Sequence, residues 1–367
     1  MDATRHPMPP AGKLLGIQAL RGMAAIAVIL YHVARHLDQV VPSAAMMRLF
    51  QPGHAGVDLF FVLSGFIILH VHRGDIGRPG RLRHYGRQRF QRLMPIYWIA
   101  LALTALGVAA GGHGSVAPGA LAWSASLLPT RGEPLLGIAW TLQHELLFYL
   151  AFALLILNWR LGVAVMLLWL GWIAVAFALP LEGWGPPRLS SFYNLEFLFG
   201  MGAAALLASG RVRAPRLLAG AGIGLLAAAG VVESLALLDG YGDAARLAYG
   251  LPSAMLICGL AAWEKEGNLP VPAALAALGE ASYSLYLFQF LGLGVAWQLW
   301  TRLGLDTWTL LPLCFLVLTA AAVTAGIVMS RLVEQPLLAR MRRLGRPGYS
   351  CRSASMGLSA AARRAGK

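Results

Sequence analysis

Apolar residues run in blocks along nearly the whole chain. Each block of roughly 18–23 residues is long enough, as a helix, to cross a ~30 Å hydrocarbon layer. Ten blocks are expected to be membrane-spanning helices: 14–34, 57–72, 93–111, 138–158, 161–180, 192–208, 215–237, 244–263, 282–300 and 310–332. The polar breaks between them are too short for a large soluble domain. Within the longest break, 112–137, the stretch "GALAWSASLLP" is apolar but too short to span, so it is expected to be re-entrant or interfacial. The expected fold class is all-α, a polytopic integral membrane protein with about ten transmembrane helices.

Composition agrees with that pattern. The 367 residues are 58% hydrophobic and only 13% charged, and the mean hydropathy is +0.64, above that of soluble domains. A net charge of +14 would suit nucleic acid. The basic residues lie in short loops between spans, however, so no nucleic-acid partner is expected. An N-terminus placed inside puts Arg73, Arg78, Arg81, Arg83, Arg87, Arg89 and Arg92 on the cytoplasmic side, together with Arg160, Arg211, Arg213 and the basic tail. Glu182, Asp239, Asp243 and Asp306 fall on the other side. This distribution follows the positive-inside rule and makes both termini cytoplasmic.

Three regions result: a cytoplasmic N-terminal segment 1–13, a membrane domain 14–333, and a basic tail 334–367 expected to be disordered and close to anionic headgroups. The first span lacks a small-residue cleavage site and reads as a retained helix. Cys258, Cys314 and Cys351 show neither metal-ligand nor disulfide spacing, so no metal site is expected. Trp98, Trp140, Trp159, Trp184 and Trp300 lie near span ends and read as an aromatic belt.

Candidate chemistry starts in the first span, "ALRGMAAIAVILYH", where Arg21 and His32 bracket an apolar run. Eleven helical steps bring them to the same face, about 16 Å apart along the axis. One reading is a cavity-lining face, with Arg21 binding an anion at the cytoplasmic mouth and His32 acting as a deeper base. The other is a snorkelling arginine and an interfacial histidine. A second basic cluster, "HYGRQRFQRLMPIYW", places Arg89 and Arg92 three apart on one helix face, where paired guanidinium forks suit phosphate. Alone, it also reads as a positive-inside anchor.

These segments resemble the membrane acyltransferase-3 family, which includes exopolysaccharide and O-antigen acetyltransferases. The first-span motif, "GVDLFFVLSGFII", "RFQR" followed by Pro95 and Tyr97, "WTLQHELLFYL" with Glu145, "ASYSLYLFQF" and "VEQP" are similar to six family motifs in order. The resemblance implies a bacterial inner-membrane O-acyltransferase. It would take an acyl group, acetyl foremost, from acyl-CoA as co-substrate and transfer it to a hydroxyl of a glycan or lipid-linked sugar, with no permanently bound cofactor. It also implies roles for Arg21, Arg89 and Arg92 in donor binding and for His32 in catalysis. Where the family often has a histidine after "SYSLYL", this chain has Gln289, which hydrogen-bonds but is no base near neutral pH.

In the mechanism this implies, His32 deprotonates the acceptor hydroxyl, or carries the acyl group itself, and Glu145 orients His32 from a similar depth. Glu196, an acid within a span, and Gln289 are candidates for substrate contact. Ser64 and Gly65 read as a close-packing site, His144 as a loop or interface residue, and Glu334 as the partner of a loop arginine. The alternative from another class is a transporter or flippase of an anionic or glycan substrate that uses the same Arg/His cavity.

Overall fold

A helix occupies each of the ten expected blocks in the structure, a computed structural model that describes residues 14–110, 116–129, 134–179, 187–267 and 269–344. In chain order the helices are α1 (Leu15–Asp38), α2 (Ala44–Phe50), α3 (Gly56–His72), α4 (Leu82–Ala110), α5 (Pro118–Ser126), α6 (Ala139–Leu157) and α7 (Trp159–Ala178). They continue as α8 (Pro187–Ser190), α9 (Tyr193–Ala208), α10 (Pro215–Ser234), α11 (Asp243–Lys265), α12 (Ala273–Arg302), α13 (Leu311–Met329) and α14 (Gln335–Leu344). Among the described residues there is no strand. Eight segments are both long and apolar enough to cross a membrane. Helix α9 is apolar but has 16 residues, and α12 is tempered by the buried Ser282, Ser284 and Gln289. The protein is an all-α polytopic membrane protein.

The differences from the hydropathy pattern have local causes. Helix α4 starts at Leu82 rather than at 93 because its first turns, rich in Arg and Gln, are good helix formers outside the apolar block. Helix α12 likewise starts at Ala273, in an Ala/Leu run. After α13 the chain makes one π-helical turn, Ser330–Glu334, and continues as α14. The stretch expected to be a disordered tail is therefore helical over its first part. The segments 1–13 and 345–367, with Cys351, lie outside the described residues. "GALAWSASLLP" contains α5, held on α4 by Tyr97 Oη donating to the Ser124 carbonyl (2.6 Å) and Trp98 Nε1 donating to that of Ala125 (2.9 Å).

Bundle geometry follows from where backbones touch. Helices α3 and α9 meet at Gly65 and Gly200: a Cβ on Gly65 would overlap the Phe197 carbonyl oxygen, and one on Gly200 would overlap that of Val62. Small residues are what lets membrane helices approach this closely. Helices α1 and α12 run parallel, touching at Gly22 and Gly279 near their starts and again at His32 and Gln289. The first amides of α1, which have no partner within their own helix, donate to the Glu264 carboxylate in the last turn of α11, Gly16 N at 2.8 Å. Helix α7 exposes Leu167, Leu168 and Phe177, the apolar outer face expected against lipid.

Replacing Gly200 with leucine should force α3 and α9 apart and cost about 2 kcal/mol or more. Gly171→Leu, on the open face of α7 where an added side chain meets nothing, should stay within about 0.5 kcal/mol. Thermal unfolding of the two variants in detergent measures the contrast.

Candidate active site

Five helices enclose a cavity of about 130 Å³. Arg21 enters it from α1, Ser64 from α3, Arg89 and Arg92 from α4, Glu145 and Tyr149 from α6, and Tyr283 and Tyr286 from α12. Three guanidinium groups thus share a wall with one carboxylate. Arg89 and Arg92, three apart on α4, both face the cavity.

Glu145, Arg89 and Arg92 are held by neighbours, as burial in a low-dielectric interior requires. Glu145 accepts from Tyr149 Oη and from Ser64 Oγ (3.3 Å) through Oε1. Arg89 lies over the Tyr85 and Tyr149 rings at 5.9 and 5.8 Å, and its Nη2 donates to His72 Nε2 (3.3 Å). The other nitrogen of that imidazole, Nδ1, then donates to Asp75 Oδ2 (2.8 Å). Arg92 donates to Glu334 Oε1 at 2.8 Å and sits over the Tyr283 ring. Glu334 is buried in the π turn and also accepts from Ser284 Oγ (2.7 Å). Glu334 was expected to pair with a loop arginine; its partner, Arg92, lies instead within helix α4.

At the other end of the cavity, Thr141 and Tyr286 close the space with a hydroxyl–hydroxyl bond of 3.0 Å. Three residues further along α12, the Gln289 amide nitrogen donates to the Tyr286 carbonyl (2.9 Å) and its Oε1 faces His32 Nδ1 (3.0 Å). His32 packs beside the Phe290 ring. The cavity and the histidine are therefore separated by the Tyr286 turn of α12.

The structure brings together Arg21, Arg89, Arg92 and Glu145, and separately His32 with Gln289. It does not bring Glu145 to His32: Glu145 is on the arginine side of the Thr141–Tyr286 closure, and Gln289 orients the histidine instead. Gln289 is buried and committed to these two bonds rather than open to an acceptor. Glu196 is also fully buried, packed between α3, α9 and α11 by Asp58 and Arg246 instead of lining the cavity. His144, expected in a loop or interface, is a core residue bonded to Asn194 Oδ1 (2.9 Å). Gly65 is the packing residue of its pair, while Ser64 faces the cavity.

Sequence reasoning missed a second buried network. Arg246 donates to Asp58 Oδ1 (2.5 Å) and to the Gly240 carbonyl, with its guanidinium 4.3 Å from the Tyr193 ring centre. Nearby, His54 Nε2 pairs with Glu233 Oε1 (2.8 Å), whose other oxygen accepts from Tyr249 Oη (2.5 Å). The signal was present: Arg246 and Asp58 are ionisable residues inside expected spans, the same criterion that picked out Glu196. The cavity tyrosines gave no comparable signal, because Tyr in an apolar run reads as ordinary packing.

Comparison with known proteins bears on this geometry. The acyltransferase domain family matches residues 14–331. The exopolysaccharide production protein ExoZ of Rhizobium meliloti (strain 1021) is 29% identical, over 80% of this chain and 92% of its own length. The acyltransferase MdmB of Streptomyces mycarofaciens is 27% identical, over 92% of this chain and 95% of its own. The peptidoglycan O-acetyltransferase OatA of Listeria monocytogenes serovar 1/2a is 29% identical over 24% of this chain and 13% of its own. No solved structure matches the chain.

The buried ion pair supplies a test of the second network. Arg246→Met or Asp58→Leu alone strands a buried charge and should destabilise by about 3–5 kcal/mol, whereas the double variant should recover most of the loss. Unfolding midpoints of the three proteins in one detergent give the comparison.

Proposed function

The chain belongs to the acyltransferase domain family, and on that premise we propose that it moves a short acyl group from acyl-CoA to a hydroxyl of an exported or cell-surface carbohydrate. The observation that carries this reading is the set of three arginines, from two separate helices, on the wall of a cavity whose closed end is one helical turn from the His32–Gln289 pair. In this reading the arginine-rich face is cytoplasmic, in keeping with the positive-inside rule. The donor's phosphates bind at Arg89, Arg92 and Arg21 through charge-assisted bonds, and its pantetheine arm follows α1 for the roughly 16 Å from Arg21 to His32.

The O-acetyltransferase activity in the name of OatA supports a short acyl group. The exopolysaccharide function in the name of ExoZ, and the O-acetyltransferase activity in that of OatA, support a glycan hydroxyl as acceptor.

His32 supplies the base. Because the Gln289 nitrogen is used on the Tyr286 carbonyl, its oxygen faces Nδ1. Nδ1 is therefore the protonated nitrogen, leaving the Nε2 lone pair for the acceptor. As Nε2 takes the hydroxyl proton, the oxygen attacks the thioester carbonyl. The carbon–sulfur bond breaks, and the thiolate leaves as CoA with the proton returned from the imidazolium. Opening the Thr141–Tyr286 bond joins the cavity to the histidine for this step. Gln289 thus has the orienting role that Glu145 was expected to have.

The first test uses the purified protein in nanodiscs with acetyl-CoA. The Arg89→Ala/Arg92→Ala pair should lose donor binding, while His32→Ala should keep binding and lose transfer and CoA release by about 10²–10⁴-fold. A wild type that binds no acyl-CoA would sink the proposal. A second test is Gln289→Leu, which frees the imidazole tautomer: turnover should fall about tenfold or more with donor affinity unchanged, and Gln289→Glu should restore part of it.

A further inference from the structure

Beyond the family match, which ends at residue 331, α14 forms the wall of a basic basin at the arginine-rich mouth. The basin is lined by Arg87, Arg89 and Arg92 from one side and by Arg342 and Leu338 of α14 from the other. His84 lines it too, and no carboxylate does. A neighbouring lobe, also bordered by Arg92 and Arg342, contains Glu280 and Glu334. The first lobe is therefore the one with the field for an anion, and Arg92 joins it to the cavity below.

Helix α14 is fixed over this basin. Met341 carries one of the carbonyls that a helix end leaves without an internal partner. It accepts from Arg87 Nη2 (3.3 Å) and Gln91 Nε2 (3.5 Å), both on α4. The preceding π turn anchors the other end through Glu334 and Arg92. Arg342, one residue past the capped carbonyl, is exposed on the basin wall and makes no ion pair among the described residues. Arginine rather than lysine at each basic wall position suits bidentate binding of a terminal phosphate.

We propose that this lobe is a subsite for the 3′-phosphate of the donor's nucleotide, with Arg342 of α14 as the residue that reads it. The inference rests on the acyl-CoA reading above and deepens it. Arg89 and Arg92, nearer the cavity, are left for the diphosphate, while the dianionic monoester sits farther out between α4 and α14. A donor lacking that phosphate would bind through the inner arginines alone.

The experiment compares CoA with 3′-dephospho-CoA by calorimetry on the full chain, in zwitterionic nanodiscs and in nanodiscs containing phosphatidylglycerol. Wild type should hold CoA about tenfold more tightly than 3′-dephospho-CoA, the value of one charge-assisted contact. Arg342→Gln should bring the two ligands to near equality by weakening CoA alone. Equal affinities in wild type would remove the subsite while leaving the donor reading intact. A ratio that survives Arg342→Gln would show that Arg342 does not read the phosphate. A preference that disappears in wild type when phosphatidylglycerol is present would assign Arg342 to lipid headgroups instead. Failure of wild type to bind either ligand would overturn the donor reading and this subsite with it.

Discussion

A guanidinium or carboxylate buried in a membrane bundle has to be surrounded by partners, because its hydration is lost and lipid offers nothing in return. The arrangement of this protein follows from meeting that requirement at two levels. Near the start of α1, Arg89 and Arg92 lie against tyrosine rings and make their bonds to His72 and Glu334. Near the start of α11, Arg246 has Asp58, the Gly240 carbonyl and the Tyr193 ring. The two networks differ in what they leave over. The Arg246 group is enclosed, with Asp58 Oδ2, Arg246 Nε and both Glu196 oxygens buried without a hydrogen-bond partner among the described residues, whereas the arginine trio borders empty space.

Between these levels, α12 connects charge to chemistry. Its Tyr283 covers Arg92, its Tyr286 closes the cavity, and its Gln289 bonds to His32, at three-residue spacing. Each of the three is a helix-surface neighbour of the next, and the series winds around α12 from the arginine wall to the histidine. Parallel packing of α12 on α1 keeps this line in register with Arg21 and His32.

Hydropathy made the helices legible, since the length of an apolar block is set by bilayer thickness. It also made Arg21, Arg89, Arg92 and Glu145 visible as ionisable residues in or beside spans, and the fold gathers these four. Which helix lies beside which was not legible, because contacts made through Gly65, Gly200, Gly22 and Gly279 depend on small residues that are common throughout the chain. The pairing of Glu145 with His32 failed for that reason: depth follows from sequence position, but the azimuth of α6 relative to α1 does not. Gln289 looked like a loss when read as a missing base, and only the two bonds of its amide show an orienting residue. The basic tail was misjudged at its start because charge and low hydropathy resemble disorder, while the contacts that make α14 a helix come from α4, some 250 positions earlier.

The Glu264 carboxylate at the first amides of α1 bears on how the chain is assembled. Helix α1 leaves the ribosome well before α11, yet the residue that completes its N-terminal end is separated from Leu15 by 249 positions and belongs to α11. Its long flank is completed later still, by α12. Contacts this distant in sequence form slowly, after loop closure has been paid in entropy. During synthesis the first helix therefore waits in the bilayer with bare amides and an uncovered histidine face. The line from Tyr283 to Gln289 is assembled only once α12 has been made, so a chain cut short before α12 would carry the preceding helices but neither Tyr286 nor Gln289.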